Sequence, residues 1–296
     1  MLQYINKFFL MSFLLFSAIP EAMAQLALDI DFSRTVYLVD EPVYARIRLR
    51  NDSGTPLIFG EAENLQGRLH LEVMAPNGNR YSMPEKAVNP LQGLVLREGQ
   101  EREVLFELTE FMTFPVTGSY KIYAYVSHDM LPVKYRTPDR RFEVSKGVSL
   151  WKRTVGLPEV LGDVTAQQSR QRTYEILALR DGRKKNIYLT IYDKKTMHAM
   201  IPMGEIQGAA SIRCEVDAFS SLHLLLPITN RLYEYLKYTP EGELEVRKLF
   251  RKDKTAPVLV RDPDIGSITV AGGETAIPGV DYVEENRPQT PVRPEM

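Results

Sequence analysis

The chain has 296 residues, of which 44% are hydrophobic and 25% are charged, and its formal net charge is −1. This composition is typical of a soluble globular protein and excludes a disordered or collagen-like chain, while the length suffices for two ordinary domains. The small net charge argues against a protein whose main task is to bind polyanions such as nucleic acids. The single cysteine, Cys214, excludes an internal disulfide.

The amino terminus has the pattern of a signal peptide, residues 1–24. A weakly basic start, Met1–Lys7, precedes the apolar run Phe8–Ile19, and the small-x-small triplet 22–24 predicts cleavage after Ala24, with Gln25 as the mature start. The apolar run is too short for a bilayer span, which needs about 20 residues, and no other stretch approaches that length. We therefore expect a periplasmic or secreted protein with no membrane span after cleavage. The absence of disulfides favours a bacterial envelope.

Residues 25–147 show the period-2 alternation of β-strands. Val43–Arg50 has apolar residues at every second position, and Thr117–Ser127 repeats the pattern. Seven or eight such short strands follow one another without a helical period between them. This pattern predicts an immunoglobulin-like β-sandwich.

The turns of this first domain resemble those of a bacterial group of sandwiches. The stretches concerned are Asn51–Gly54, Pro76–Gly78, Leu96–Gln100 and Gly118–Tyr120. They resemble the turns of the bacillary intracellular proteinase inhibitor and of macroglobulin-type domains, over about Val36–Ser127. The resemblance implies proteinase inhibition, but no inhibitory motif stands in this sequence, so no reactive residue is assigned. A shared fold alone does not establish an activity.

Three arginines, Arg46, Arg48 and Arg50, lie in a row on one face of a predicted strand, which makes them a candidate binding surface. Guanidinium groups in a row can bind phosphate or sulfate on a polyanion. In a sandwich of this type, however, the neighbouring strand presents Glu103 and Glu107 on the same outer face. Cross-strand pairs of opposite charge stabilise an exposed sheet by roughly 0.2–1 kcal/mol each. We favour this second interpretation, a solvated sheet face.

The second half of the chain also consists of short predicted strands. Residues 148–171, which include the only tryptophan, Trp151, have no sustained period and are predicted to be a linker. Residues 172–273 predict an antiparallel β-meander, with an Asp-Gly hairpin turn at Arg180–Arg183. Its spacing distantly resembles propeller blades, but about nine strands are too few for a closed propeller of 4–8 blades. An open sheet, a barrel and propeller-like blades remain alternatives. The proline-rich residues 274–296 predict a disordered tail.

The sequence contains no recognisable catalytic, cofactor-binding or metal-binding pattern. The four histidines lie far apart: His70, His128, His198 and His223. None has a second histidine or cysteine at the short spacing typical of metal ligands. Cys214 lies on an apolar face of a predicted strand, which predicts a buried, inert thiol. The acidic turn Asp262–Gly266 lacks the further oxygen ligands of a dedicated calcium site. We therefore predict no catalytic residue, no metal and no cofactor.

The tyrosine-rich strand Leu232–Tyr238 is a second candidate binding surface, through Tyr233, Tyr235 and Lys237. Tyrosines on a sheet can contact sugars or protein partners, because they combine a rigid apolar ring with a polar hydroxyl. These observations predict an exported, non-enzymatic binding protein of the bacterial envelope, with a protein or glycan partner and no nucleic acid. The alternative is a proteinase inhibitor acting through the first domain. A hydrolase comes third, since no acid–base or nucleophile pattern is present.

Overall fold

The computed structural model describes residues 25–60, 67–157, 170–205 and 212–283. Apart from a 3-10 turn at Leu108–Glu110, the regular structure of these residues consists of β-strands, which confirms the predicted all-β class. None of the helical structure in these ranges is long and apolar enough to cross a bilayer. The predicted signal peptide, residues 1–24, lies outside the described residues.

The chain divides into two compact units. The first comprises Met1–Thr35 and Pro42–Val144, and the second comprises Val36–Glu41 and Ser145–Met296. The strands from the amino terminus to this boundary are β1 (Leu26–Phe32), β2 (Val36–Leu38), β3 (Tyr44–Asn51), β4 (Leu57–Ile58), β5 (Gly67–Met74), β6 (Arg80–Ser82), β7 (Val95–Leu96), β8 (Glu101–Glu107), β9 (Gly118–His128), β10 (Tyr135–Arg136) and β11 (Arg140–Ser145). Of these, β2 belongs to the second unit.

The first unit is an antiparallel sandwich. One sheet has the order β1-β3-β8, and the other has the order β11-β9-β5-β6, with β10 paired to β9 and a separate short pair β4-β7. The apolar positions of the period-2 alternation form the inner faces of the two sheets. Ile47 of β3 and Ile122 of β9, for example, are both fully buried. The main strands in chain order are β1, β3, β5, β6, β8, β9 and β11. The first, second and fifth of them share one sheet, as in an immunoglobulin-type sandwich.

The remaining strands belong to the second unit. They are β12 (Val148–Gly156), β13 (Gln171–Asp181), β14 (Lys184–Tyr192), β15 (Met197–Glu205), β16 (Arg213–Val216), β17 (Leu222–Pro227), β18 (Leu232–Tyr238), β19 (Leu244–Arg251), β20 (Val258–Arg261), β21 (Ile268–Ala271) and β22 (Glu274–Thr275).

The predicted meander of the second unit folds into two sheets that share one core. Strands β12-β13-β14-β15 form the first sheet, β16-β17-β18-β19-β22 form the second, and β20-β21 make a separate hairpin. The two sheets contribute the following buried side chains to the core: Tyr174, Ile176, Ala178, Ile187, Leu189 and Ile191 from the first, and Val216, Leu222, Leu224, Leu226, Leu236 and Tyr238 from the second. Neither sheet closes into a barrel.

The predicted linker contains a strand that the sequence pattern hides. Strand β12 forms the edge of its sheet, and its side chains are mostly exposed, although Trp151 packs against the core. A register shift between Ser149 and Trp151 interrupts the pairing with β13. An exposed edge strand with a bulge has no clean period-2 alternation, so periodicity could not reveal it.

The beginning of the predicted tail is also ordered. Strand β22 pairs with β19, through Phe250 with Thr275 and Arg251 with Glu274. A further bridge joins Pro278 to Tyr282. A two-residue strand is too short to produce a periodic signal. The rest of the predicted tail, residues 284–296, lies outside the described residues.

Candidate functional site

The arginine row on β3 is paired with carboxylates. Arg48 Nε lies 3.0 Å from Glu103, Arg46 Nε lies 3.7 Å from the same carboxylate, and Arg50 Nε lies 3.1 Å from Asp52. Arg48 and Glu103 are direct partners in the register of β3 and β8. The structure therefore contains the cross-strand pairing expected of a solvated face, and the three guanidinium groups are not an unoccupied anion site.

The tyrosines of β18 do not form an open surface. Tyr235 is only 7% exposed, and its hydroxyl lies 2.8 Å from His223 Nδ1. Tyr233 is half-buried, and Lys237 Nζ lies 2.7 Å from Glu245. One face of β18 contributes Leu236 and Tyr238 to the core. The sequence pattern does not show that the opposite face, which carries Tyr235, is partly buried as well. Tyr235 therefore belongs to the interior of the unit.

A buried hydrogen-bond network connects Asp217, His223 and Tyr235. His223 Nε2 lies 2.9 Å from Asp217 Oδ2, and all three side chains are buried. Burial lowers the pKa of His223, against the opposing effect of Asp217, so the ring is neutral near pH 7. Because a carboxylate only accepts, Nε2 donates to Asp217 and Nδ1 accepts the hydroxyl proton of Tyr235.

This network holds a loop in place, and it does not activate a nucleophile. The second oxygen of Asp217, Oδ1, accepts from the backbone N–H groups of Phe219 at 2.9 Å and Ser221 at 2.8 Å. Both ring nitrogens of His223 are already used, so neither remains to deprotonate a serine. Sequence reasoning missed the network, because its members lie on a turn and two strands and meet only through strand pairing.

The outer face of the second sheet in the first unit carries stacked rings and cations. His70 of β5 stacks on Tyr125 of β9, with ring centroids 4.5 Å apart and planes 7° apart. Lys134 Nζ lies 5.2 Å from the centroid of Tyr125, and the guanidinium of Arg136 lies 3.8 Å from the centroid of Tyr123. We call these five residues the tyrosine face.

The five residues of the tyrosine face include two cations and no carboxylate. Lys121 and Arg136 share the carboxylate of Asp139, whereas Lys134 has no ion-pair partner within the described ranges. Burial, followed by the charges of Arg68 and Lys134, lowers the pKa of His70, so this ring adds no charge near pH 7. The rings are half-buried and lie beside these cations, and also beside Glu72, which pairs with Tyr123 in the register of β5 and β9.

A cleft of about 690 Å³ borders the tyrosine face. Its lining includes Arg68, His70, Lys86, Asn89, Ser127 and Asp129. Arg68 donates to the backbone oxygen of Ala87 at 2.8 Å, and His70 Nε2 lies 3.1 Å from Ser127 Oγ. The cleft wall is therefore polar and held by hydrogen bonds.

The remaining candidate residues, the acidic turn and Cys214, show no arrangement for metal binding or catalysis within the described residues. Within the described ranges, no group of three or more His, Cys, Asp or Glu side chains is arranged to hold a metal ion. In the acidic turn, Asp262 Oδ1 accepts from the backbone N–H groups of Asp264 and Ile265. Burial raises the pKa of the Cys214 thiol to about 12, which leaves it protonated and unreactive near neutral pH.

Comparison with known proteins identifies no family. No family model matches the sequence, and no curated protein matches it. Among solved structures, the chain is similar over 42% of its length to the alkylpurine DNA glycosylase AlkC of Pseudomonas fluorescens bound to DNA containing an abasic site analog, with 12% identity and a TM-score of 0.27; it spans 31% of that chain. It is also similar to Spo0M, a sporulation control protein of Bacillus subtilis, with 10% identity and a TM-score of 0.27, covering 62% of this chain and 91% of that one. Neither similarity is close enough to carry an argument.

Proposed function

We propose that the chain is an exported, non-enzymatic binding protein of the bacterial envelope, and that its tyrosine face contacts a protein partner. The observation that carries the proposal is the stacked row of rings and cations on a rigid sheet. Tyrosine and arginine are enriched in protein interfaces, and tyrosine offers a large, rigid contact area at small entropic cost. The proposed export depends on the signal-peptide pattern of residues 1–24.

The geometry favours a protein over a glycan as the partner. Sugars stack on open aromatic faces, but His70 already stacks on the Tyr125 ring, and Lys134 Nζ lies 5.2 Å from the centroid of that ring. The guanidinium of Arg136 lies over one face of Tyr123. Ring edges, hydroxyls and cationic groups remain for contact, and these suit a protein surface that carries carboxylates.

The one Ser–His contact in the cleft supports binding better than catalysis. Ser127 Oγ lies within hydrogen-bond distance of His70 Nε2. A nucleophilic serine needs a base whose other nitrogen is oriented by a third group. Within the described residues, the other nitrogen of His70 makes no hydrogen bond, and its ring stacks on Tyr125 instead. We therefore rank a hydrolase behind a binding protein.

Affinity capture with matched arginine variants tests the proposal. The mature chain, residues 25–296, is immobilised and exposed to a native envelope extract, and the eluate is assayed for both protein and sugar. Arg136→Ala removes an arginine of the tyrosine face, and Arg50→Ala is its control on the opposite sheet. The two arginines have similar side-chain exposure, 50% and 57%, and each pairs with an aspartate.

We expect one enriched protein that Arg136→Ala loses and Arg50→Ala retains. Glycan without protein, equal retention by both variants, or no retention above bare resin would each refute a protein partner at this face. If the retained protein is a proteinase that the full chain inhibits stoichiometrically, the inhibitor alternative replaces the general binding proposal.

A further inference from the structure

Two loops of the second unit touch, and each exposes a large apolar side chain. The first loop, residues 217–221, joins β16 to β17, and the second, residues 262–267, joins β20 to β21. Ala218 N donates to Gly266 O at 3.1 Å, and a Cβ added to Gly266 would lie 2.8 Å from the Cβ of Ala218. Only glycine permits this close approach. We call the exposed residues Ala218, Phe219, Pro263, Asp264 and Ile265 the two-loop tip.

The two-loop tip carries two large apolar side chains in water. Phe219 is 64% exposed and Ile265 is 62% exposed. A single exposed apolar residue is ordinary on a protein surface. Two such residues on loops that are bonded to each other form a local apolar projection, and aromatic side chains of this kind are the usual anchors of protein interfaces.

The first loop is held rigidly although its backbone is strained. Ser220 has φ of 67°, which is uncommon for a residue with a side chain. The hydroxyl of Tyr174 donates to Ser220 O at 2.5 Å, and Ser220 Oγ donates to Gly156 O at 2.9 Å. Asp217 holds the backbone N–H of Phe219 from the other side. Strain of this kind persists only where the surroundings fix the backbone, and it is common at binding sites.

The second loop is fixed by its own aspartate and by an arginine. Asp262 Oδ1 accepts from the backbone N–H groups of Asp264 at 2.9 Å and Ile265 at 3.2 Å. Arg261 donates to Gly266 O at 3.2 Å and to Val216 O at 2.5 Å, which bonds it to the strand before the first loop. A side chain presented on a fixed backbone loses little conformational entropy on binding, so it contributes more of its contact energy to affinity.

We propose that the two-loop tip docks into a partner protein, with Phe219 and Ile265 entering an apolar socket whose rim bears a cationic group opposite Asp264. Asp264 is exposed, and its carboxylate has no ion-pair partner within the described ranges. The exposed carboxylate of Asp264 complements a basic group on a protein surface and disfavours an anionic membrane surface, while the nearby Arg261 is paired with Glu215. The proposal concerns the second unit and is independent of the tyrosine face.

Site-specific photo-crosslinking of the full chain in its native cells tests the proposal. A benzophenone amino acid replaces Phe219 in one variant and Ile265 in another, and the control carries it at Val148, which is 65% exposed in the same unit. We expect both tip positions to form an adduct with one and the same protein, and Val148 to form none. Absence of an adduct, a lipid adduct, or an adduct with a second copy of this chain would refute the proposal.

Charge variants at Asp264 provide the second arm of the test. Asp264→Lys reverses the charge of the rim, and we expect it to reduce the yield of the Phe219 adduct at least tenfold. Asp264→Glu keeps the charge and should retain the yield. Because Asp264 is exposed, both variants should melt at the wild-type temperature. Equal adduct yields from the two variants would overturn the assigned socket chemistry.

Discussion

The two units bury polar side chains in different ways. In the first unit, the fully buried Asn51 bonds to backbone groups: its Nδ2 donates to Thr55 O at 2.7 Å and to Leu96 O at 2.9 Å. His128 does the same, with Nε2 3.0 Å from Ile58 O and Nδ1 accepting from Met130 N at 3.1 Å. In this unit the buried polar side chains fasten loops to strands.

In the second unit, ionisable side chains bond mainly to one another. His223 bonds to Asp217, and Arg247 Nε lies 2.5 Å from the buried Glu234. Arg172 is 9% exposed, and its guanidinium lies 3.5 Å from Asp193, while its Nε has no partner within the described residues.

The difference predicts how each buried group responds to pH. A neutral amide bonded to the backbone contributes the same stability across the physiological pH range, whereas a buried ionisable group links stability to proton binding. Buried ion pairs also carry a desolvation cost that offsets much of their attraction. We therefore expect removal of a partner to be costly in both units, and the cost to vary with pH at the His223 network but not at Asn51.

The largest effect should come from Asp217→Ala in the second unit. The change leaves the backbone N–H groups of Phe219 and Ser221 and the ring N–H of His223 without their acceptor. Each buried donor left unsatisfied costs about 1–3 kcal/mol, so we expect a loss of roughly 3–5 kcal/mol in unfolding free energy. Urea unfolding followed by Trp151 fluorescence reports on this unit.

The control for this prediction is Asp264→Ala, which removes an exposed aspartate on the neighbouring loop. Its effect on the unfolding free energy should stay within about 0.5 kcal/mol. Similar losses for the two aspartate variants would show that the buried network does not hold the loop.

Asn51→Ala should have the next largest effect, in the first unit. It leaves the backbone oxygen of Leu96 without its side-chain donor and the backbone N–H of Ser53 without its acceptor, which costs about 2–3 kcal/mol. Because the amide does not titrate, this loss should be the same at pH 5 and at pH 8. Hydrogen exchange of the β3 amides measures it locally, and a loss that varies with pH would contradict the comparison.

The smallest effect is the pH dependence contributed by His223. Burial holds its folded-state pKa below the ordinary value of 6.5, so the unfolded chain binds this proton more readily. Stability of the second unit should therefore fall as the pH drops below about 6.5, by at most about 1.4 kcal/mol per pH unit. His223→Gln should flatten this slope in Trp151-detected unfolding.

The lowered pKa of His70 acts in the same direction from the first unit. His70→Gln is therefore the matched control, and it should leave the Trp151-detected slope unchanged. If His70→Gln flattens that slope as much as His223→Gln does, the pH dependence does not arise from the second unit's buried network.

The sequence reveals the regular parts of the fold, because one buried face leaves a period-2 signal. The inward positions of β3 and β9 were predicted residue by residue, and the pairing of Arg48 with Glu103 followed from the expected neighbouring strands. Strand β12 escaped prediction because its exposed edge carries no such signal. The local sequence pattern therefore predicts which side chains share a face of a strand, but it does not predict which parts of the chain pack on that face.

The network around His223 required the strand register. Tyr235 lies directly opposite Leu225, and His223 lies opposite Lys237, so the bonded ring and hydroxyl are diagonal neighbours on β17 and β18. Asp217 reaches His223 only because the intervening loop turns back on itself. The exposure of Phe219 likewise depends on the geometry of the loop. The sequence shows only an apolar residue in a turn, which does not indicate whether its side chain is exposed or buried.

The segment Val36–Glu41 has a consequence for synthesis and for truncation. In the sequence, this segment lies between the two parts of the first unit, but it belongs to the second unit. There Leu38 is buried with Leu179 and Tyr188. During translation, Leu38 leaves the ribosome more than a hundred residues before those two partners, so it stays uncovered until they arrive. A fragment that ends near Val144 would keep the apolar segment without its partners, so the first unit cannot be excised cleanly as a continuous piece.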